Sequence, residues 1–294
     1  MKAAAFSYAR ATSVADALAL LARHGDEAKV MSGGQSLMPA LNLRLATPSL
    51  VIDIGRLAEL RGITATPGLI TIGALTRHVD LLRSPEIAAR LPLLRAAVAH
   101  VAHPAIRNRG TIGGNLAHAD PASELPACML ALDAGMIARG QKGERRIAAE
   151  HFFTGIYTTA LAPDELLVAV EIAPPPLEAR FFFREFARRS GDYAMVGLAA
   201  MAVVEGARLV GLRLGYFGIG DRPQLALEAA ARLVGRDVTA HVLDAAQGAL
   251  DDEIDPPQDQ QATSGMRRYL ARQLMAEAVS TLLDRPDLKP GRAP

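Results

Sequence analysis

The sequence predicts an α+β protein of two or three domains, and three observations carry that prediction. Apolar residues at helical spacing alternate along the chain with short β-branched runs. A triple proline, Pro174-Pro175-Pro176, interrupts both patterns, and the character of the sequence changes beyond it. At 294 residues, half of them apolar and 21% charged, the chain is long enough for two or three cores at roughly 150 residues each.

The first helix is predicted from Ser13 onward. Ser13 is a candidate N-cap with Asp16 three residues later. Val14, Ala17, Leu18 and Leu21 form one stripe, and Gly25 stops it. Strands follow at Ala28–Met31, which runs into Gly33-Gly34, at Leu50–Ile54 and at Leu69–Gly73. Residues 1–57 therefore read as a small βαβ-type unit and the segment after Leu57 as a second one. Leu91, Leu94 and Val98 place a helix between Arg83 and Ala102. Glu165–Ile172 reads as a strand ending at the prolines. Beyond them Arg180–Ala187, Gly197–Val204 and Arg208–Phe217 read as three strands, the last two joined at Glu205-Gly206. A polar loop is expected over 251–261 and a helix over about 265–283, with Leu270, Leu274, Ala278 and Leu282 on one face. The expected domains are 1–57, 58–176 and 177–288.

Composition narrows the function. The 32 basic and 31 acidic residues leave a net charge of +1, and aromatic content is low, which argues against a nucleic-acid binder. Cys128 is the only cysteine, too few for an iron–sulfur cluster or a Cys-based zinc site. It lies in an apolar run, as a buried inert thiol would. Arg10 and Asp16 interrupt the N-terminal segment before a signal-peptide core could form. The longest charge-free apolar stretch near the middle, Ala194–Val204, falls well short of the roughly 20 residues of a membrane span. A cytoplasmic chain without a membrane span is expected.

Two glycine pairs are the informative residues: Ser32-Gly33-Gly34-Gln35-Ser36 directly after a strand, and Thr111-Ile112-Gly113-Gly114-Asn115. Paired glycines let backbone approach a ligand closely, and successive N–H groups in such turns suit anionic oxygens. Two loops with short polar side chains could grip a pyrophosphate from both sides, although a single Gly-Gly is also an ordinary tight turn. Neither the P-loop nor the G-x-G-x-x-G pattern is present after the first strand, and no G-x-S-x-G elbow exists. Gly215–Gly220 reads as a strand end and turn. His100 and His103 lack an acid or cysteine to complete a metal site. Asp120-Pro-Ala-Ser-Glu124 reads either as a ribose-binding acidic segment or as a helix start. Arg184, Arg188 and Arg189 read as a solvated strand edge.

These residues carry a family resemblance. Gly33–Leu37 with Pro39–Arg44, Arg107–Asn115 followed by Asp120–Glu124, and Gly191-Asp192-Tyr193-Ala194 resemble the two FAD loops and a flavin-side segment of the medium subunits of molybdenum hydroxylases. That group includes aerobic carbon monoxide dehydrogenase, nicotine and quinoline dehydrogenases and the flavin domain of xanthine dehydrogenase. The resemblance spans about residues 1–285. It implies the FAD-binding fold of the vanillyl-alcohol oxidase type: two α+β subdomains and a C-terminal domain with a three-stranded antiparallel sheet and helices. It implies a pyrophosphate site at Val30, Met31, Ser32, Gly33, Gly34, Gln35, Ser36 and Leu37 together with Thr111, Ile112, Gly113, Gly114 and Asn115. It places Glu124 near the ribose-adenine half, and Val101, Ala102, Leu167, Arg184, Asp192 and Tyr193 near the flavin. Arg184 or Arg188 is expected to stabilise the anionic reduced form of the flavin. No residue of this chain is expected to be catalytic on substrate, and no metal is expected on it.

The resemblance further implies electron transfer. Electrons would come from [2Fe–2S] clusters on a small partner subunit, pass through FAD and reach a terminal acceptor. The molybdenum cofactor and the substrate site would lie on a large subunit, and the heterotrimers would pair into dimers. Gln35 stands where carbon monoxide dehydrogenase subunits have His, which argues against carbon monoxide as substrate. His103 stands where several relatives have Asp. The cysteine-bearing insertion of the benzoyl-CoA reductase branch is missing. A self-standing FAD oxidoreductase and a module that lost its flavin are the alternatives.

Overall fold

The structure, a computed structural model, describes residues 2–288. Local chemistry starts the first unit as the sequence predicts. In helix α1 (Val14–His24) the Ser13 hydroxyl accepts from the Asp16 amide. The Asp16 carboxylate accepts from the Thr12 amide at 2.8 Å, one residue earlier than a capping box would have it. Val14, Ala17, Leu18 and Leu21 are buried, and Gly25 closes the helix at φ +51°. Their partner is a parallel sheet of β1 (Ser7–Arg10), β2 (Ala28–Met31) and β3 (Leu50–Asp53), in the order β1–β3–β2. Leu50, Val51 and Ile52 of the central β3 are buried, as a covered parallel strand requires. Strand β1 was not anticipated; it is an edge strand whose Tyr8 is half exposed. Helix α2 (Leu37–Asn42) follows the first glycine pair.

The second unit is not the βαβ repeat expected after Leu57. Its sheet contains β4 (Ile63–Ala65), β5 (Ile70–Gly73), β6 (Gly135–Gly140), β7 (Gly143–Ala148) and, past helix α9 (Ala149–Phe152) and the ribbon β8 (Phe153–Gly155) with β9 (Thr158–Thr159), strand β10 (Leu166–Ile172). The order is β4–β5–β10–β6–β7 and every pair is antiparallel. The physical reason lies in the connections. Short turns join β4 to β5 and β6 to β7, and a short turn can only reverse the chain.

The excursion from β5 to β6 holds the helices. They are α3 (His78–Arg83), α4 (Pro85–Arg90), α5 (Pro92–His100), α6 (Pro104–Arg107), α7 (Ile112–His118) and α8 (Glu124–Ala131). The single helix expected over 83–102 is split, because Pro85 and Pro92 each begin a new helix. All eight residues of α8 are buried, which makes it the central element of the core.

The third unit is an antiparallel sheet of β11 (Ala179–Phe186), β12 (Val196–Glu205) and β13 (Arg208–Phe217), turning at Gly206 with φ +60°. A two-residue β14 (Gln224–Leu225) joins the three strands expected. Helices α10 (Leu227–Leu233), α11 (Ala240–Glu253) and α12 (Ser264–Leu283) cover one face, and α5 and α8 lie against the other. The polar stretch from Asp251 begins inside α11, which runs to Glu253 before the loop.

Alternation along β11 assigns its side chains. Phe181 and Phe183 pack into the core of the second unit, and Phe182 and Phe186 into that of the helical layer.

Candidate functional site

The two glycine loops, 79 residues apart at their contact, are bonded to each other. Thr111 lies in extended backbone and caps α7, its hydroxyl accepting from the Gly114 amide at 3.1 Å. The same hydroxyl donates to Ser32 Oγ at 3.1 Å. The glycines make this closeness possible. A Cβ on Gly33 would sit 2.3 Å from the Arg109 carbonyl oxygen, and one on Gly114 would sit 2.4 Å from Ser32 Oγ. One on Gly113 would sit 2.5 Å from the Ala74 Cβ. Gly34 turns at φ +72°.

The loops differ in what they offer. The amides of Ile112 and Gly113 donate to the carbonyls of Thr76 and Ala74, that of Gly114 to Thr111 Oγ1 and that of Asn115 to the Thr111 carbonyl. The Asn115 side chain is tied to Ser123 at 2.8 Å. Among the described residues, the amides of Gly33, Gly34, Gln35 and Ser36 meet no acceptor. Gln35 instead donates its side-chain amide to the Gly33 carbonyl at 3.2 Å. The first loop is thus a run of four unpaired donors, flanked by Val30 and Met31 of β2 and Leu37 of α2. The second loop is the wall behind it. A symmetric grip, in which both loops present amides, is not what forms.

A second cluster surrounds the end of α5. Val101 is buried, and Ala102 has φ +44°, held there because the Arg107 guanidinium donates to the carbonyls of Val101 and Ala102 at 2.9 and 2.7 Å. Gly191, at φ +87°, lies on this turn; a Cβ there would meet His103 Cε1 at 2.4 Å. That contact sets the start of the Gly191–Tyr193 segment against His103 and the Ala102 carbonyl. Asp192 is exposed, and Tyr193 is 59% exposed. Partial burial of its hydroxyl, together with Asp120, Tyr157 and Glu124, pushes Tyr193 up to about 12. Leu167 is buried beneath, in the cluster that holds Val101 and Ile112.

Glu124 opens α8 and is buried, and that burial pushes its carboxyl up to about 8. His100 binds Glu185 at 3.2 Å across the boundary between the second and third units, and this hydrogen bond raises the imidazole above its usual range. The two histidines His100 and His103 therefore do not share a helix face: one ends α5 and the other precedes α6.

Arg184 is not brought into the group. Strand alternation turns it to the α12 face, where it pairs with Glu277 and lies 5.1 Å over Phe186. Its neighbour Glu185 takes the inward position. Arg188 donates to the carbonyls of Gln260 and Gln261. Sequence reasoning missed Tyr157, which donates to Asp120 at 3.4 Å and packs its ring, tilted, against His118 at 4.9 Å between centroids. No pattern in the sequence announces it, since the contact is made only in the folded chain.

Two family models match: residues 4–175 fit the FAD binding domain in molybdopterin dehydrogenase, and residues 181–282 the CO dehydrogenase flavoprotein C-terminal domain. The chain belongs to the FAD-binding medium subunits of molybdenum hydroxylases. It is 40% identical to the 6-hydroxypseudooxynicotine dehydrogenase complex subunit alpha of Paenarthrobacter nicotinovorans, over 97% of each chain. It is 34% identical to the carbon monoxide dehydrogenase medium chain of Hydrogenophaga pseudoflava, over 94% of this chain and 96% of that one. A solved structure of carbon monoxide dehydrogenase from the same organism superposes with a TM-score of 0.94 at 34% identity, covering 97% of this chain and 99% of that one. The medium subunit's two α+β units and C-terminal sheet are thus the fold that the resemblance implied. The unpaired amides of Gly33–Ser36 suit the anionic pyrophosphate of FAD, which needs donors and no Cβ in the way.

Proposed function

We propose that this chain is the electron-transfer subunit of a molybdenum-containing hydroxylase, carrying electrons from [2Fe–2S] clusters on a small partner subunit to a terminal acceptor. The observation that carries the reading is the first glycine loop, whose four amides lack acceptors while the second loop pins it in place. FAD bound there would supply redox chemistry that accepts electrons singly and releases them in pairs. The chain's own residues bind and orient. Val30–Leu37 hold the pyrophosphate, with Thr111–Asn115 as the supporting wall. Glu124 stands toward the ribose-adenine half, and Val101, Ala102, Leu167, Asp192 and Tyr193 line the flavin side.

In this reading the domains are 1–57, 58–176 and 177–288, the chain is cytoplasmic, and substrate binds on a large molybdenum subunit. The complex is a dimer of heterotrimers. Among the described residues no helix is long and apolar enough to cross a membrane. The test is co-purification from the native source with flavin and metal analysis. The reading expects one FAD per chain, iron and molybdenum only in the complex, and no substrate turnover by the isolated chain. Turnover by the isolated FAD-loaded chain would overturn it.

A further inference from the structure

One guanidinium holds the root of the segment that carries Tyr193. Arg267 lies in the first turn of α12, and its side chain is only 4% exposed. It donates to the carbonyls of Met195 and Gly218, the latter at 3.0 Å, and to Asp259 Oδ2 at 2.7 Å. Met195 ends the loop between β11 and β12, and its amide donates to the Phe186 carbonyl at 2.8 Å. Gly218 follows β13, and its amide donates to the Pro121 carbonyl at 2.9 Å. The two peptides are tightly apposed: a Cβ on Gly218 would lie 2.5 Å from the Met195 carbonyl oxygen. The same arginine therefore reaches the root of the Tyr193 loop and the residue bonded to the Asp120–Glu124 link.

The other end of the loop is held from the same side. Arg188 donates to the carbonyls of Gln260 and Gln261 at 2.8 and 3.1 Å. Those residues belong to a tight turn that Asp259 builds. Its Oδ1 accepts from the amides of Gln261 and Ala262 at 2.8 and 3.1 Å, which leaves Oδ2 for Arg267. The Asp259–Ala262 turn thus reaches the loop twice, at Arg188 and, through Arg267, at Met195. Between these anchors Arg189, Ser190, Asp192 and Tyr193 are exposed, so little packing fixes their course. Further along, α12 sits on the sheet through apolar residues such as Leu274, Ala278 and Leu282. Burying a charge beside them costs stability, and Arg267 Nε meets no acceptor. Methionine or leucine would serve apolar packing; what the guanidinium adds is its bonds to two strand-end carbonyls.

We propose that Arg267 is a positioning residue for the flavin-side segment: paired with Asp259, it fixes the root of the 187–195 loop and so sets where Tyr193 stands. The proposal rests on the reading that Tyr193 faces the flavin. It also gives the polar loop before α12 a task, as the platform on which both ends of the flavin-side loop are tied.

The test is hydrogen exchange of the full FAD-loaded chain, read at single amides. Arg267→Met keeps the apolar stem and removes the donors. Asp259→Asn is the milder variant: it keeps an acceptor for the Gln261 and Ala262 amides and loses the anion that pairs with Arg267. In both, exchange at the Met195 amide rises at least about tenfold relative to the amides of α8, the population factor of one lost hydrogen bond to a charged group. Flavin fluorescence and reoxidation of the reduced flavin by dioxygen change in the direction that Tyr193→Ala changes them. In a Tyr193→Ala background, Arg267→Met changes them no further. Exchange at Met195 that rises only in step with α8 overturns the proposal, because that is the pattern of a residue serving global stability alone. Additive effects in the double variant overturn its action through Tyr193. Unchanged fluorescence and reoxidation in Tyr193→Ala by itself sink the flavin-side placement of Tyr193, while the exchange at Met195 decides the anchoring independently.

Discussion

Gly33→Ala tests the cradle directly. The added Cβ would lie 2.3 Å from the Arg109 carbonyl oxygen, 2.9 Å from its carbon and 3.0 Å from the Gly110 Cα. All three are backbone atoms, so no side chain can swing aside. Restoring ordinary contact parts the loops by about 1 Å, and overpacking of this kind costs about 1–3 kcal/mol. The 3.1 Å hydrogen bond from Thr111 to Ser32 spans the same seam and is stretched with it. If the strain is relieved only by opening the loops, FAD binding weakens by about 5- to 150-fold. Deflavinated chain is titrated with FAD, following the quenching of flavin fluorescence, and thermal melting is recorded in parallel. Gly248→Ala is the control, since its Cβ meets nothing within 4 Å in the middle of α11. It gains about 0.8–1 kcal/mol of helix stability and leaves affinity unchanged. A Gly33→Ala chain that binds FAD within about twofold of the parent, a margin well under 1 kcal/mol, and melts with it would refute the reasoning.

Other expectations follow from single groups. Glu124, raised to about 8, stays protonated in the folded chain where an unfolded glutamate is ionised. The folded state therefore binds the extra proton between about pH 4.5 and 8, and stability falls as pH rises through that window by up to a few kcal/mol. Urea midpoints at both ends of the window measure this, and Glu124→Gln flattens the profile. His78 shows the opposite sign. Burial lowers it to about 4, and its nitrogens lie near Thr111 without completing a hydrogen bond. Its contribution is present above pH 6.5 and is lost as pH falls toward 4, so His78→Leu lowers the acid-unfolding midpoint. Arg184→Met leaves the flavin potential where it was and costs under about 1 kcal/mol, because its partner Glu277 lies on the α12 face and the arginine is half exposed. A shift in potential in that variant would contradict its placement. Tyr193→Ala changes flavin fluorescence and oxygen reactivity in the loaded chain.

What the sequence made legible was the part whose cause is local. Ser13 capping α1, the prolines ending β10 and the Gly206 hairpin each act within a few residues. The glycine pairs could be picked out because only glycine permits the approach seen at Gly33 and Gly114. The second sheet was misread because β5 and β6 are separated by six helices, and their strand order is a long-range outcome that no window of sequence contains. Tyr157 was missed for the same reason. Arg184 illustrates a finer limit. Its strand was placed correctly, but a position moved by one residue changes face, and the face is set by which side α12 covers. Glu185 therefore stands where an arginine was expected.

The division of labour between the loops carries this furthest. Sequence chemistry made them look equivalent, since each has a glycine pair and small polar neighbours. The fold makes them unequal, because the amides of Ile112 and Gly113 are taken by Thr76 and Ala74, residues whose proximity is purely tertiary. Substitutions should then sort by loop. Changes at Gly34 or Ser36 act on the donors themselves, whereas changes at Gly113 act through Ala74, by displacing the wall that positions those donors. A Cβ at Gly113 would be 2.5 Å from that of Ala74, so strain there is spent first on the packing of α7 and reaches the cofactor loop only through the Thr111–Ser32 hydrogen bond. Stability should therefore fall more than affinity at Gly113, and affinity more than stability at Gly34.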